Sequence, residues 1–200
     1  FDLGKYTTAN GTVYRGEITR FINGDPHAGL FLSGFFVIMM FGVPAISFAM
    51  YRAAKKQNRA GVKGMLFGNA ITSFVSGITE PTEFTFMFIS PMLYFLHAVY
   101  AGLAAVTCYL FNVRLGFTFG LCIVDYLINF RFGVNAILFI PIGLVFFALY
   151  YFTFYYLISK RNIPTLGREV EQDFGTEASA QEATLSMTYK KHAYSSKKLL

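Results

Sequence analysis

Two glutamates lie three residues apart in an otherwise apolar stretch of the sequence, one on each side of a proline. Glu80 precedes Pro81 and Glu83 follows it, within the segment Gly77-Ile-Thr-Glu-Pro-Thr-Glu-Phe84. Burying a carboxylate in hydrocarbon costs several kcal/mol, so acidic side chains persist at such depth where they line a pathway or hold a ligand. The pair is therefore the first candidate for chemistry in this chain.

An ionised carboxylate only accepts hydrogen bonds, and it can accept them from two neighbouring hydroxyls. This property suits a sugar, and it equally suits a proton, a sodium ion or a cationic substrate. Nearby hydroxyls come from Thr79, Thr82 and Thr85, and the predicted substrate ligands are Glu80, Glu83 and Thr79. A structural alternative stays open, in which the two glutamates lie at a wetted hairpin tip and stabilise the N-terminus of the following helix.

Three further polar residues are weaker candidates for a site. His97 lies in an apolar run and is predicted to be a hydrogen-bonded core residue, with a secondary binding role as the alternative. Asp125 is predicted to pair with Arg114 or Arg131, again with a secondary binding role as the alternative. Asp25 follows a glycine and precedes a proline, so we predict a turn residue there.

The sequence carries no pattern for covalent or metal chemistry. Cys108 and Cys122 have neither the spacing of metal ligands nor the cationic surroundings that activate a thiolate, so we predict that both are packing residues. No nucleophile, metal cluster or phosphate-binding glycine loop is recognisable. We therefore expect no catalytic residue, no metal and no cofactor in this chain.

The composition argues against an ordinary soluble domain. Hydrophobic residues make up 54% of the 200 residues and charged residues only 14%, whereas about a quarter of the residues in a soluble domain are charged. Between positions 64 and 159 only five residues carry a formal charge. Apolar runs of this length are typical of membrane-spanning helices. The predicted fold class is an all-α integral membrane protein.

The elements that must position the glutamates are spans and interrupted helices. Three spans are predicted at 30–51, 84–111 and 134–158. Residues 64–78 are apolar but would reach only about 22 Å as a helix, which is shorter than the hydrocarbon core. Since Pro81 and the residue before it break helical geometry, this segment is predicted to be a half-helix that enters and stops. A second re-entrant hairpin is predicted at 112–133, and Pro44 predicts a kink in the first span.

The polar segments predict an orientation and three regions. Residues 1–29 are expected to form an extramembrane loop, with a type I′ hairpin turn at Asn10-Gly11. The acid-free basic segment 52–63 is expected in the cytoplasm by the positive-inside rule. Residues 30–160 then form the membrane domain, and 161–200 a cytoplasmic linker or disordered tail. Because the first residue is Phe and no leader is recognisable, we expect the chain to begin inside a longer protein.

The segment around Glu80 resembles the signature of the membrane component (IIC) of bacterial phosphoenolpyruvate-dependent sugar phosphotransferase systems, in the glucose superfamily. Other stretches resemble the same family in the same order, namely 23–29, 34–45, 92–98, 142–151 and 164–169. The similarity covers about residues 12–170. It leans toward the N-acetylglucosamine branch, with glucose a close second.

This resemblance implies the C-terminal half of a permease with re-entrant hairpins in the bacterial inner membrane. It implies that Glu80 holds part of the sugar, with Glu83 nearby. A phosphocysteine on a IIB domain, charged in turn by IIA, would then phosphorylate the sugar on the cytoplasmic side. This chain itself has no phosphoryl-accepting residue. The resemblance also implies a homodimer formed through the absent N-terminal half.

The chain departs from the family pattern at a few positions, including Thr82, His27 and Cys122, which leaves the fine specificity for one sugar open. Two other functions also remain open. One is an ion-coupled secondary transporter that uses the same carboxylates, since broken helices build such sites too. The other is a membrane interaction subunit with no transport role.

Overall fold

The computed structural model describes residues 4–30 and 32–168, and these are mostly helical. A small antiparallel hairpin joins β1 (Lys5–Thr7) and β2 (Val13–Arg15). The helices are α1 (Glu17–Ile22), α2 (Ser33–Val37), α3 (Val43–Ala53), α4 (Arg59–Ser76), α5 (Glu80–Met87), α6 (Pro91–Leu110), α7 (Ile123–Asn129) and α8 (Phe139–Lys160). The predicted all-α class is confirmed.

Among the described residues, three helical stretches are long and apolar enough to cross a membrane, and they are Ser33–Ala53, Pro91–Leu110 and Ala136–Lys160. Their outer faces carry large apolar side chains in contact with the surroundings, such as Val145 and Phe152, which are each 66% exposed. Such faces require lipid or other apolar helices around them. The protein is therefore a membrane protein. The predicted span 84–111 was too long, because the helix is interrupted at residues 88–90, just before Pro91.

The first span contains a local rearrangement at the predicted Pro44 kink. A π-helical segment, Ile38–Gly42, joins α2 to α3 and shifts the bonding pattern, so that the Val43 N–H donates to the Ile38 carbonyl. In that register the Met39 carbonyl would need the N–H of Pro44, which proline lacks. The hydroxyl of Ser73 on α4 supplies the missing donor at 2.6 Å. The missing proline donor thus leads to a hydrogen bond between the π-helical segment and α4.

Helix α4 is longer than the predicted half-helix. It begins at Arg59, inside the segment predicted as a basic loop, and its 18 residues extend about 27 Å. It ends at Gly77, whose φ of 72° is the left-handed conformation that glycine adopts without strain. Three residues, 77–79, separate α4 from α5. The predicted interruption before Pro81 is therefore confirmed, while the predicted start at residue 64 was wrong.

The second predicted hairpin, residues 112–133, is a loop that contains α7 and is closed at its base by two hydrogen bonds between Arg114 and Val134. Asp125 organises this loop from within. Its carboxylate accepts the backbone N–H groups of Thr118 at 2.8 Å and Phe119 at 2.9 Å, and also that of Gly120.

The predicted pairing of Asp125 with an arginine was wrong. Asp125 is completely buried, and the side chain of Asn129 donates to it as well, at 3.1 Å. Arg114 instead donates to the side chain of Asn112, and the Arg131 guanidinium lies 4.6 Å from the centre of a phenylalanine ring. The Asp125 carboxylate already accepts hydrogen bonds from nearby backbone amides, so it does not require an arginine partner.

The N-terminal loop is held by charged groups that contact its own backbone. The Arg20 guanidinium pairs with Asp25 at 2.6 Å, and Asp25 also accepts the N–H of His27, as expected for a turn residue. Glu17 accepts the N–H groups of Gly29 and Leu30 at the entry to the first span. These contacts set where the span begins.

The hairpin turn in this loop differs from the predicted type I′. Five residues, 8–12, connect the strands, and Gly11 has a positive φ of 76° whereas Asn10 does not. A type I′ turn requires a two-residue loop with positive φ at both positions.

The segment after α8 packs back onto the fold over its first eight residues. Gly167 accepts the backbone N–H of Lys55 at 3.0 Å, and Arg168 donates to the carbonyl of Ala53 at 2.6 Å. The region predicted as a linker therefore begins with a packed turn at 161–168. Residues 169–200 of the predicted tail lie outside the described residues.

We expect Asp125→Asn to destabilise the protein by about 3 kcal/mol, because the amide nitrogen cannot accept the loop N–H groups and leaves buried donors unpaired. Thermal unfolding of the purified intact protein in detergent measures this. Gln57→Ala, an exposed polar change in the α3–α4 turn, is the control and should shift stability by less than about 0.5 kcal/mol. An unchanged melting temperature for Asp125→Asn would contradict the assignment.

A second prediction concerns acid sensitivity of the N-terminal loop. Burial opposes ionisation of Asp25, but the His27 N–H and the Arg20 guanidinium outweigh it and hold the pKa of Asp25 below its ordinary value. A lowered folded-state pKa contributes stability above the unfolded pKa of about 3.9, and this is lost as pH falls through the folded value.

At pH 7 the Asp25→Asn variant should therefore lose roughly 3 kcal/mol of local stability in this loop, which makes the loop more sensitive to protease. The difference from the parent protein should disappear at a pH below the folded pKa. Limited proteolysis across pH measures it with an acid-active protease. A difference that stays constant into acid would show that the charge of Asp25 is not what holds the loop.

Candidate functional site

The interrupted segment between α4 and α5 presents Glu80 to the outside of the described fold. Glu80 is the first residue of α5, and its side chain is exposed. One of its oxygens accepts the backbone N–H of Thr79 at 3.1 Å, while Thr79 itself is buried. The structure thus leaves most of the acceptor capacity of Glu80 free for a ligand.

Glu83 lies one turn further along α5 and faces inward. Its side chain is 21% exposed, and its Oε1 lies 3.7 Å from Nε2 of His97 on α6. The two glutamates therefore differ in surroundings although the sequence presents them as a pair. Glu80 is open to a solute, whereas Glu83 is oriented toward a buried partner.

His97 joins Glu83 to a residue that sequence reasoning missed. The other ring nitrogen of His97, Nδ1, lies 3.2 Å from the hydroxyl of Tyr150 on α8. The two residues are 53 positions apart, so no spacing rule connects them. The only sequence signal was a hydroxyl-bearing residue in an apolar helix. Because the chain has 13 tyrosines, this signal does not single out Tyr150.

Two of the threonines expected near the ligand turn away from it. Thr82 is buried, and its hydroxyl lies 3.3 Å from that of Ser47 on α3. The hydroxyl of Thr85 donates to the Thr82 carbonyl at 2.5 Å and lies 3.5 Å from the sulfur of Met50. These hydroxyls dock α5 onto α3, so the expectation that they surround a ligand was wrong.

The tip of the interruption rests on the loop that Asp125 organises. A Cβ at Gly77 would lie 3.2 Å from the backbone nitrogen of Leu121, and one at Gly120 would lie 3.1 Å from the Ser76 carbonyl. Only the absence of side chains lets the two backbones approach so closely. The position of Asp125 is therefore a supporting one, behind the turn that carries Glu80.

The described residues contain no group of three or more His, Cys, Asp or Glu side chains placed to hold a metal ion. Both cysteines are unpaired and completely buried, as predicted for packing residues. What the arrangement offers is an exposed carboxylate at a helix break, backed by a second carboxylate on a buried imidazole. Such acceptors bind the hydroxyls of a polyol or a cation without reacting covalently.

Comparison with known proteins gives a consistent set of relatives. The chain is 49% identical over 173 residues to the PTS system N-acetylglucosamine-specific EIIC component of Streptomyces coelicolor. The aligned residues cover 86% of this chain and 42% of that protein. It is 43% identical over 176 residues to the N-acetylglucosamine-specific EIICBA component of Escherichia coli, with 86% of this chain and 27% of that protein covered.

A third relative is the glucosamine-specific EIICBA component of Bacillus subtilis, 40% identical over 184 residues, with 92% of this chain and 29% of that protein covered. The chain thus spans less than half the length of each of these relatives. The family described as "Phosphotransferase system, EIIC" matches residues 1–102, which include α1 to α5 and both glutamates. An all-α membrane fold with a carboxylate-bearing break agrees with this match, and the chain belongs to the EIIC family of the phosphotransferase system.

Proposed function

We propose that the chain is part of the sugar-translocating membrane subunit of a phosphoenolpyruvate-dependent phosphotransferase system. The observation that carries the proposal is the exposed Glu80 carboxylate at a helix break, in a chain 49% identical to a relative named for N-acetylglucosamine. N-Acetylglucosamine is the first candidate substrate. Glucose and glucosamine are the alternatives, since other relatives are named for them.

The geometry supports a sugar as the ligand of Glu80. Adjacent hydroxyls on a pyranose ring can both donate to one carboxylate, and a carboxylate is an acceptor for both at once. Thr79 and Glu83 lie on the same turn and complete the proposed ligand set. His97 and Asp125 support this turn from behind.

The proposed partners are IIB and IIA phosphoryl-carrier domains. Several relatives are named EIICBA or EIICB components, in which these parts belong to one protein. In the described part of this chain the two cysteines are buried in the fold, so phosphoryl transfer to the sugar is assigned to the IIB partner.

We further propose a multi-pass arrangement in the bacterial inner membrane with a cytoplasmic C-terminus. The α3–α4 turn carries Arg52, Lys55, Lys56 and Arg59 with no acidic residue, which favours the cytoplasmic side. The segment 161–168 packs on this same turn, so it lies on the same side. A homodimer remains part of the proposal as implied by the resemblance.

Uptake by right-side-out vesicles, with the phosphoryl donor and carrier domains loaded inside, tests the function of the intact protein. Sugar should accumulate as its phosphate, and accumulation should require a phosphoryl donor together with IIB and IIA. Accumulation of unmodified sugar that collapses when an ion gradient is removed would instead support an ion-coupled carrier. A folded protein with no uptake under either condition would support an interaction subunit.

We expect Glu80→Gln to weaken sugar binding by roughly 30-fold, because charge-assisted hydrogen bonds contribute about 2 kcal/mol each. Titration calorimetry of the purified intact protein measures this. Glu80→Asp keeps the charge on a side chain that is one methylene shorter, so its sugar affinity should lie between those of the parent protein and Glu80→Gln. Gln57→Ala is the matched exposed control and should bind like the parent protein. Equal affinity for parent and Glu80→Gln would remove Glu80 from the site.

A further inference from the structure

We propose that Tyr150 is a positioning residue for the sugar site, and that it acts on Glu83 through the imidazole of His97. The inference rests on the proposed function for its effect on sugar affinity. The contacts themselves join three helices: Glu83 on α5, His97 on α6 and Tyr150 on α8. Nothing in the names of the relatives assigns a role to this tyrosine.

The Tyr150 hydroxyl lies 3.2 Å from Nδ1 of His97 and also 3.2 Å from the carbonyl oxygen of the same residue. On the far side of the ring, Nε2 lies 3.7 Å from Oε1 of Glu83. This second distance exceeds a normal hydrogen bond by about 0.5 Å. At this distance the attraction between the ring and the carboxylate is electrostatic.

The position of the proton follows from these contacts. If the tyrosine donates to Nδ1, a neutral imidazole must carry its proton on Nε2, where it points at the Glu83 carboxylate. If the tyrosine donates to the His97 carbonyl instead, Nδ1–H donates to the phenolic oxygen. A neutral ring would then turn a lone pair toward the carboxylate, and repulsion disfavours this. The Glu83 carboxylate therefore favours the tautomer with the proton on Nε2, and the hydroxyl of Tyr150 stabilises that tautomer by donating to Nδ1.

Tyr150 itself is held rigidly, so the tautomer and the ring orientation are held as well. Its side chain is completely buried. A Cβ at Gly42, in the π-helical segment, would lie 3.0 Å from the tyrosine ring, which shows how closely the ring packs on the first span. On another side the Tyr100 ring packs edge-on with a centroid separation of 5.0 Å, and its hydroxyl lies 3.0 Å from that of Thr153.

The consequence reaches the exposed part of the site. Glu83 and Glu80 are three residues apart on one short helix, so their side chains are neighbours on its surface and their like charges repel. By holding the carboxylate of Glu83 toward α6, the tyrosine keeps the two glutamates apart and leaves Glu80 free for the solute. Fixing a polar group in advance in this way reduces the ordering cost on binding.

Tyr150→Phe in the intact protein tests the inference, because it removes one hydroxyl and keeps the ring. Tyr155→Phe, an exposed position on the same helix, removes a hydroxyl away from the network and is the matched control. Two quantities are measured in each protein: sugar affinity by calorimetry, and the protonation of the His97 ring by nitrogen-15 NMR of histidine-labelled protein. His97→Asn identifies the signal.

In the parent protein the proton should be found on Nε2 of His97, and Tyr150→Phe should add a population with the proton on Nδ1. The same change should weaken sugar binding about tenfold, as expected for the loss of one oriented hydrogen bond. Tyr155→Phe should alter neither. A bare Nε2 in the parent, or an unchanged ring signal in Tyr150→Phe, would overturn the inference.

An altered ring signal with unchanged sugar affinity would also overturn it, provided that Glu80→Gln lowers affinity in the same assay. If Glu80→Gln has no effect on affinity, the proposed function fails instead, and the ring signal still reports whether Tyr150 controls the tautomer. A purely structural tyrosine would change the melting temperature without moving the proton. The two failures are therefore distinguishable.

Discussion

The structure depends on a break in the backbone within apolar surroundings. Where a helix stops in lipid-compatible territory, its free N–H and C=O groups must find partners in the protein, since hydrocarbon offers none. At residues 77–79 the Gly77 N–H donates to the Ser73 carbonyl and the Thr79 N–H donates to Glu80, while Gly77 packs closely against the loop that contains Gly120. That loop is in turn held by the carboxylate of Asp125. One oxygen of the exposed Glu80 takes part in this arrangement, and its remaining acceptor capacity is open.

A similar exchange of partners occurs in the first span. Pro44 removes a donor, the π-helical segment Ile38–Gly42 changes the register, and Ser73 of α4 donates to the carbonyl left free. Thr82 of α5 docks on Ser47 of α3 a short distance away. Side-chain hydroxyls thus connect the interrupted helices to the first span. In a membrane interior, hydrogen bonds between helices also fix their relative orientation more strictly than apolar contacts alone.

The two glutamates have different surroundings within this framework. One is open to the surroundings and the other faces an imidazole that a tyrosine orients. A binding site needs both properties, because the group that contacts a ligand must be unoccupied while its neighbours must be fixed. The relatives named for N-acetylglucosamine and glucosamine are 49% and 40% identical to this chain over most of its length.

Much of the architecture was already determined by the sequence. The long apolar runs identified three spans, and proline next to a glutamate identified the break, because both signals are local and depend on residue type alone. The tertiary structure decided what the polar side chains contact. Asp125 met backbone amides, which residue types do not reveal, and Thr82 turned inward because of a partner 35 positions away. Tyr150 reached His97 across 53 positions by helix packing, a geometry that no spacing in the chain encodes.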